Sequence, residues 1–297
     1  MKIAILGAAG RMGKWFTQYF AEKGNVLTVS GVHQEKLMVL AKDYGAKIAK
    51  NNVEAVKDAD LTLVSVPIDK TAEVLREITP KLKRGSIVSE IASVKAGIID
   101  VLKESSKFGV QPLSLHPLFG PMQKAKKKFA LVPVLNAENE LAVAKRFFPD
   151  AEIVVVDAEK HDRAMAVTLS LQYFVNMVFA STVKDEDFKT LEKLSGTTFT
   201  LQQVLIGAIM VQDPELHASL HMANKHSPEY LKRFISNAEK IRKLIESGDT
   251  EAFKNFYNRI SKDLSKTLDL ATMYEKMYTI LEVMEKSGQS NPQSIKV

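Results

Sequence analysis

The spacing of apolar positions changes once along the chain, near residue 157. Before that point, short and almost wholly apolar runs at residues 3–6, 26–30, 61–66 and 86–89, with a brief one at 47–48, alternate with stretches of helical period. Strands that read as continuous apolar runs are buried on both faces, and their alternation with helices about ten to fifteen residues long predicts a doubly wound parallel sheet. Two further runs, at 130–134 and 152–156, close this half. After about Glu159 strand-like runs cease. Residues 161–183 read as one long helix with almost no charge after Arg163, and further helices are expected at 186–194, 198–211, 214–222, 227–247 and 250–285. Gly248 can end one of these, and Asp249 or Thr250 can cap the next. The pattern predicts an α/β domain over 1–157, an all-α domain over 158–286 and a linker-like Ser, Gly, Gln and Pro tail over 287–297, which leaves room for a further domain. A helix as apolar as 161–183 is expected to be covered on several sides, by its own domain or by a second subunit.

Composition removes several classes of function. The 297 residues, 45% hydrophobic and 26% charged, suffice for two domains with sizeable cores. Cysteine is absent, which rules out a disulfide scaffold, a thiolate nucleophile and a cysteine-bound metal, and no metal is expected. The start of the chain shows no basic leader or cleavage site, and no window reads as apolar for long enough to span a bilayer. The expectation is a cytoplasmic protein with no membrane partner. The net charge of +6 is dispersed, and the dense lysine run at 124–128 has no interleaved aromatics. Nucleic acid is therefore not the expected partner, and small anions fit better.

Two stretches carry candidate chemistry. Gly7-Ala8-Ala9-Gly10-Arg11-Met12-Gly13 follows the first strand and runs into a helix. Small residues there let backbone approach a pyrophosphate, the helix N-terminus offers unpaired N–H groups, and Gly13 permits close packing of helix on sheet. Ala8 occupies the first place of a shifted G-x-G-x-x-G, so the spacing is G-x-x-G-x-x-G. The reading is a Rossmann-type dinucleotide domain, with Gly7, Ala9, Gly10, Arg11 and Met12 at the phosphates. At the end of the second strand, where an acid would meet the ribose of NAD, the chain has Ser30, then His33 with Lys36 beyond, which neither demands NAD nor excludes a 2′-phosphate. Ser65, Val66 and Pro67 end a buried strand at the edge where ligands sit in such sheets. The second stretch, Ser114 to Pro121, presents His116 from a loop stiffened by Pro117 and Pro121 among Leu115, Leu118 and Phe119. A histidine so held suits a general base.

Taken in order, Gly7 to Gly13, Ser65-Val66-Pro67, Ala92-Ser93-Val94-Lys95, Leu115-His116-Pro117-Leu118-Phe119-Gly120-Pro121, Glu159-Lys160-His161-Asp162 with Met165-Ala166, and Gln212-Asp213-Pro214 resemble the prephenate dehydrogenase family over about residues 1–285. The resemblance implies a dinucleotide domain followed by an all-helical dimerisation domain, hence a homodimer. It also implies oxidative decarboxylation of prephenate to 4-hydroxyphenylpyruvate with NAD, NADP being possible, toward tyrosine. His116 matches the family's base and Ser93 a serine near the reacting hydroxyl, which could equally be a helix N-cap. Lys95 is placed to hold a carboxylate or to be a solvated helix residue. Asp162 reads first as a cap or helix-dipole contact. One departure matters: where some members grip a substrate carboxylate with arginine, this chain has Thr200, and no arginine lies between Arg163 and Arg233. The hydroxyls of Thr197, Thr198 and Thr200, or Gln172, or His217, His221 and Lys225 from the helical domain, of this or the partner subunit, are the alternatives. An arogenate dehydrogenase, another NAD(P)-dependent reductase, or a nucleotide-sensing module without turnover are the competing readings.

Overall fold

The computed structural model describes residues 1–122 and 126–290 and divides into two compact units. One comprises Met1–Leu171 with Asp213–Ser227; the other comprises Gln172–Gln212 with the chain from Pro228 onward. The division therefore falls inside the long helical run, fourteen residues past the expected boundary at 157, and places one later helix with the sheet. Lys124 and Ala125 of the lysine run, and tail residues 291–297, lie outside the described residues.

The first unit is built on an eight-stranded sheet. Its strands are β1 (Lys2–Leu6), β2 (Val26–Ser30), β3 (Lys47–Ile48), β4 (Leu61–Val64), β5 (Ile87–Glu90), β6 (Gln111–Pro117), β7 (Lys128–Leu131) and β8 (Glu152–Val155). They lie in the order β3-β2-β1-β4-β5-β6-β7-β8. All neighbours are parallel except β6 and β7. From β1 the chain winds outward through β2 and β3, then returns to lay β4 on the other side of β1. That reversal opens a crevice at the carboxyl ends of the strands. The register makes Leu6 level with both Ser30 and Val64. Helices α1 (Arg11–Glu22), α2 (Gln34–Tyr44), α3 (Asn52–Val56), α4 (Ile68–Ile78), α5 (Ile98–Ser105) and α6 (Ala137–Phe147) cover the sheet. One contiguous core runs from Ile5 and Val29 through Phe16 and Phe20 of α1 to Leu115, Phe129 and Phe148. The apolar run at 130–134 forms less strand than expected. β7 starts at Lys128 and stops at Leu131, ahead of Pro133, which has no N–H to give a ladder.

The expected single helix at 161–183 is three pieces in one run: α7 (Ala158–Met165), a π-helical turn (Ala166–Leu171) and α8 (Gln172–Val183). By length and composition this 26-residue run is apolar enough to cross a membrane, which corrects the expectation that no window is; only 22% of its most apolar window is buried by the chain itself. Burial on several sides is thus not supplied by the described residues. After α9 (Phe188–Leu194) and α10 (Thr197–Met210), α11 (Pro214–Ala223) belongs to the first unit. The second unit is all-helical, with α12 (Ser227–Ser247), α13 (Thr250–Leu264) and α14 (Leu270–Ser290). α8 and α10 meet through a Gln202 to Asn176 hydrogen bond of 2.9 Å and the Phe179 and Phe199 rings. The expected helix over 250–285 is two, α13 capped by Asp249 and α14, and α14 carries the helix past 286.

Candidate active site

The chain leaves β1 through a turn that only glycine can make at two of its positions. Gly7 has φ +77°, and a Cβ there would lie 2.2 Å from the Ser65 carbonyl oxygen. A Cβ on Gly13 would lie 2.3 Å from the Gly7 oxygen and 2.7 Å from the Ala8 Cα, so α1 packs directly on the turn. The Gly7 and Ala8 N–H groups both donate to the Ser30 carbonyl, at 2.9 and 3.1 Å. Gly10 caps α1 with no side chain, and the first turn carries no acid, so the leading N–H groups of the helix are left for an anion. This fits the diphosphate of a dinucleotide. Ala9 and Met12 are half-buried beside the turn and Arg11 is exposed. Ser65 and Val66 form its floor and Pro67 leads into α4. Ser30 needs correction: it is buried, and its hydroxyl donates to Asn52 Oδ1 at 2.6 Å, so it supports the turn rather than offering a group to a ribose. His33 is exposed at the start of α2. Lys14 and Lys36 line a concavity of about 190 Å³ beside Ala8 and Ala9.

His116 lies near the carboxyl end of β6, level with Ala130 of β7, and is 5% exposed. Its Nδ1 is 3.0 Å from Nε2 of His161, whose own Nδ1 is 2.8 Å from Oδ1 of Asp162. The Asp162 carboxylate also accepts the backbone N–H groups of Lys95, at 2.8 and 3.1 Å to its two oxygens, and of Ala96, at 2.8 Å. Asn224 holds the Asp162 carbonyl at 2.7 Å. Three elements thus converge on one buried chain of hydrogen bonds: β6, the segment before α5, and α7. Burial first, then the Lys95 ammonium and the adjacent His161 ring, push the His116 pKa well below the usual 6.5. The role of His161 and Asp162 was missed in the sequence. The cap of α7 is Asp157, which accepts from Lys160 N–H, so Asp162 was free of that duty; an adjacent His-Asp pair behind an already filled cap is the signal that could have revealed it.

Lys95 is neither solvated nor free to hold a substrate. It is fully buried, and its Nζ donates to Glu90 Oε1 at 2.7 Å and to the Leu115 carbonyl at 2.8 Å. Glu90, equally buried, also accepts from the Ser114 hydroxyl and the Ala92 N–H. Lys95 does hold a carboxylate, but one belonging to its own chain, directly beneath the residue before His116. Burial lowers the Lys95 pKa, with Glu90 opposing the shift. Ser93 is half-buried and caps nothing, since α5 begins at Ile98 behind Gly97.

The remaining expected residues divide between the units. His217 is buried on α11, in the unit of His116, and stacks beside His221, whose Nδ1 is 2.9 Å from the Ser170 hydroxyl. Gln172, Thr197, Thr198 and Thr200 belong to the other unit. Gln172 opens α8 half-buried, Thr197 and Thr198 are exposed in the first turn of α10, and the Thr200 hydroxyl donates to the Gly196 carbonyl at 3.2 Å. Among the described residues, no group of three or more His, Asp or Glu is placed to hold a metal ion.

Two family models match the chain. Prephenate dehydrogenase, nucleotide-binding domain, covers residues 16–138, and prephenate dehydrogenase, dimerization domain, covers 157–259. The "Probable arogenate/prephenate dehydrogenase" of Methanocaldococcus jannaschii is 28% identical over 296 residues, 96% of this chain and 66% of that protein. The "T-protein" of Enterobacter agglomerans is 26% identical over 268 residues, 88% of this chain and 66% of that one. The chain thus spans about two thirds of the length of these curated relatives. Among solved structures, prephenate dehydrogenase from A. aeolicus in complex with hydroxyphenyl propionate and NAD+ superposes with a TM-score of 0.70 at 18% identity, over 90% of this chain and 98% of that one. Synechocystis arogenate dehydrogenase gives 0.65, also at 18%, over 90% and 100%. At such identities the likeness is one of fold.

Proposed function

The chain belongs to the prephenate dehydrogenase family, and from that premise we propose that it converts prephenate to 4-hydroxyphenylpyruvate by NAD-linked oxidative decarboxylation. The observation that carries this reading is His116: a buried imidazole, hard to protonate, with one ring nitrogen committed to His161 and the other not engaged in that chain. It lies in the same compact unit as the dinucleotide turn. Nicotinamide, when bound, supplies the hydride acceptor; the protein must hold the substrate, exclude water and take the proton of the C4 hydroxyl.

His116 Nε2 takes that proton as the hydride leaves C4 with its electron pair. Loss of the C1 carboxylate as carbon dioxide then sends its bonding pair into the ring, which becomes aromatic, and the oxygen recovers the proton. Aromatisation drives the sequence. Ser93, with no capping duty, is assigned to the same hydroxyl. Thr200 stands where some relatives have arginine, so the substrate carboxylates are left to other groups, with Gln172, Thr197, Thr198, Thr200, His217, His221 and Lys225 as the alternatives. NAD is the favoured cofactor, and the lack of an acid after β2, together with Lys36 near the turn, makes NADP a tolerated one.

A second reading is arogenate dehydrogenase, favoured by the name carried by the Methanocaldococcus relative. Purified protein given prephenate or arogenate with NAD or NADP, followed by absorbance of the reduced cofactor, separates the cases. Turnover of prephenate with NAD is expected, with less than about a thousandfold preference between cofactors, or roughly 4 kcal/mol. Silence in all four combinations would replace the enzyme with a nucleotide-sensing module.

A further inference from the structure

We propose that His161 is a positioning residue that selects the basic nitrogen of His116 and then shares the captured proton, so that the histidine pair acts as one base. The substrate hydroxyl as proton source rests on the function proposed above; the arrangement of ring protons does not.

The argument starts at Asp162. Its two carboxylate oxygens receive the Lys95 and Ala96 N–H groups, and both backbone donors are obligatory, so the carboxylate acts as an acceptor. His161 must therefore present a hydrogen on Nδ1 across the 2.8 Å contact to Oδ1. A neutral imidazole with hydrogen on Nδ1 is bare at Nε2. The 3.0 Å contact between His161 Nε2 and His116 Nδ1 then requires His116 to be the donor, which leaves His116 bare at Nε2. One carboxylate, anchored by two backbone groups, thus dictates the tautomers of two rings and leaves the base with its lone pair outward.

The same geometry gives the proton somewhere to go. When the substrate O–H breaks and an N–H forms at His116 Nε2, the new cation is buried beside the Lys95 ammonium. Breaking the His116 Nδ1–H bond and forming an Nε2–H bond on His161 moves the charge next to the Asp162 carboxylate. Among the described residues, Asp162 contacts His161, Lys95 with Glu90 beneath it lies beside His116, and Glu159, paired with Lys225 and His226, sits two residues before His161 on α7. As carbon dioxide departs and the substrate oxygen regains its electrons, the two transfers run backward. The product leaves as a phenol and both histidines end neutral, so the proton is lent and no buffer molecule is required.

Two measurements test this. In protein labelled with ¹⁵N-histidine and free of substrate, both His116 and His161 should carry their hydrogen on Nδ1, and a His116 protonated on Nε2 would overturn the inference. The second is His161→Gln, whose amide oxygen can still accept from His116 Nδ1 but cannot bind the proton. It should lower kcat about 10- to 100-fold, by analogy with the loss when a partner that orients a metal-bound histidine is removed. It should also move the acid limb of the kcat/KM profile to lower pH, because the cation must then stay on His116. A merely structural His161 would reduce the folded fraction and leave the limb where it was, and that result also overturns the proposal. If the unaltered protein fails to oxidise prephenate, the functional reading falls while the ring-proton result stands alone; turnover with reversed tautomers removes the relay and spares the function.

Discussion

Burial, the Lys95 ammonium and the adjacent His161 ring hold His116 below the ordinary histidine range, and this bears on folding as well as on the proposed chemistry. The unfolded chain binds a proton at this residue near pH 6.5 while the folded one resists it. The native state therefore keeps its full stability above about 6.5 and loses it as pH falls from there toward the depressed folded value. Thermal melting followed from pH 8 to 5 should show this decline, and His116→Asn should flatten it. The same variant should lower kcat by about 10²- to 10⁴-fold with little change in KM, and should abolish an acid limb whose midpoint in the parent lies below 6.5; an unchanged kcat in the folded fraction would remove His116 from the chemistry. At Lys95 the expected consequence is on stability. Lys95→Met leaves the Glu90 carboxylate buried without its counter-charge, a loss of about 3–5 kcal/mol by denaturant titration, and adding Glu90→Leu should restore much of it.

The elements that carry a local signal were legible in the sequence. Apolar runs bounded by glycine gave the inner strands, and small residues after residue 6 gave the dinucleotide turn, because the close approach at Gly7 and Gly13 leaves no room for a side chain. A Gly13→Ala protein should fold with α1 displaced from the turn and bind NAD at least tenfold more weakly by calorimetry, since the obstruction is backbone rather than a movable side chain. What depended on long-range partners was not legible. Nothing local distinguishes the antiparallel entry of β7 from a parallel one, or the π turn at Ala166–Leu171 from an α-helix of the same composition. Lys95 reads as a solvated residue until Glu90, five positions back, and the Leu115 carbonyl, twenty ahead, are brought to it. The His161-Asp162 pair was visible, but its meaning lies in contacts 45 and 66 residues away.

For the molecule as a whole, the helices after residue 157 carry apolar surface that the described residues leave uncovered. Phe253, Tyr257, Ile260 and Leu264 form a stripe along α13, each at least 38% exposed, and Val167 and Val178 are exposed on the long helical run. The second family model is a dimerization domain, and a homodimer is the expected state. Light scattering at micromolar concentration should give twice the 33.0 kDa chain mass, and Tyr257→Asp with Ile260→Asp should shift it toward one; a monomeric parent would contradict the dimer. Within the sheet unit, Trp15 is the sole tryptophan, placed two residues after Gly13 on α1. Its ring meets Phe119 at 4.9 Å, three residues beyond His116, and Phe119 in turn meets Phe129. The helix proposed to receive the dinucleotide and the segment proposed to present the base therefore share one fluorophore as a common wall. Reduced nicotinamide absorbs where indole emits, so the protein carries its own energy-transfer donor, and each turnover should be visible as a loss of its native fluorescence without any label attached.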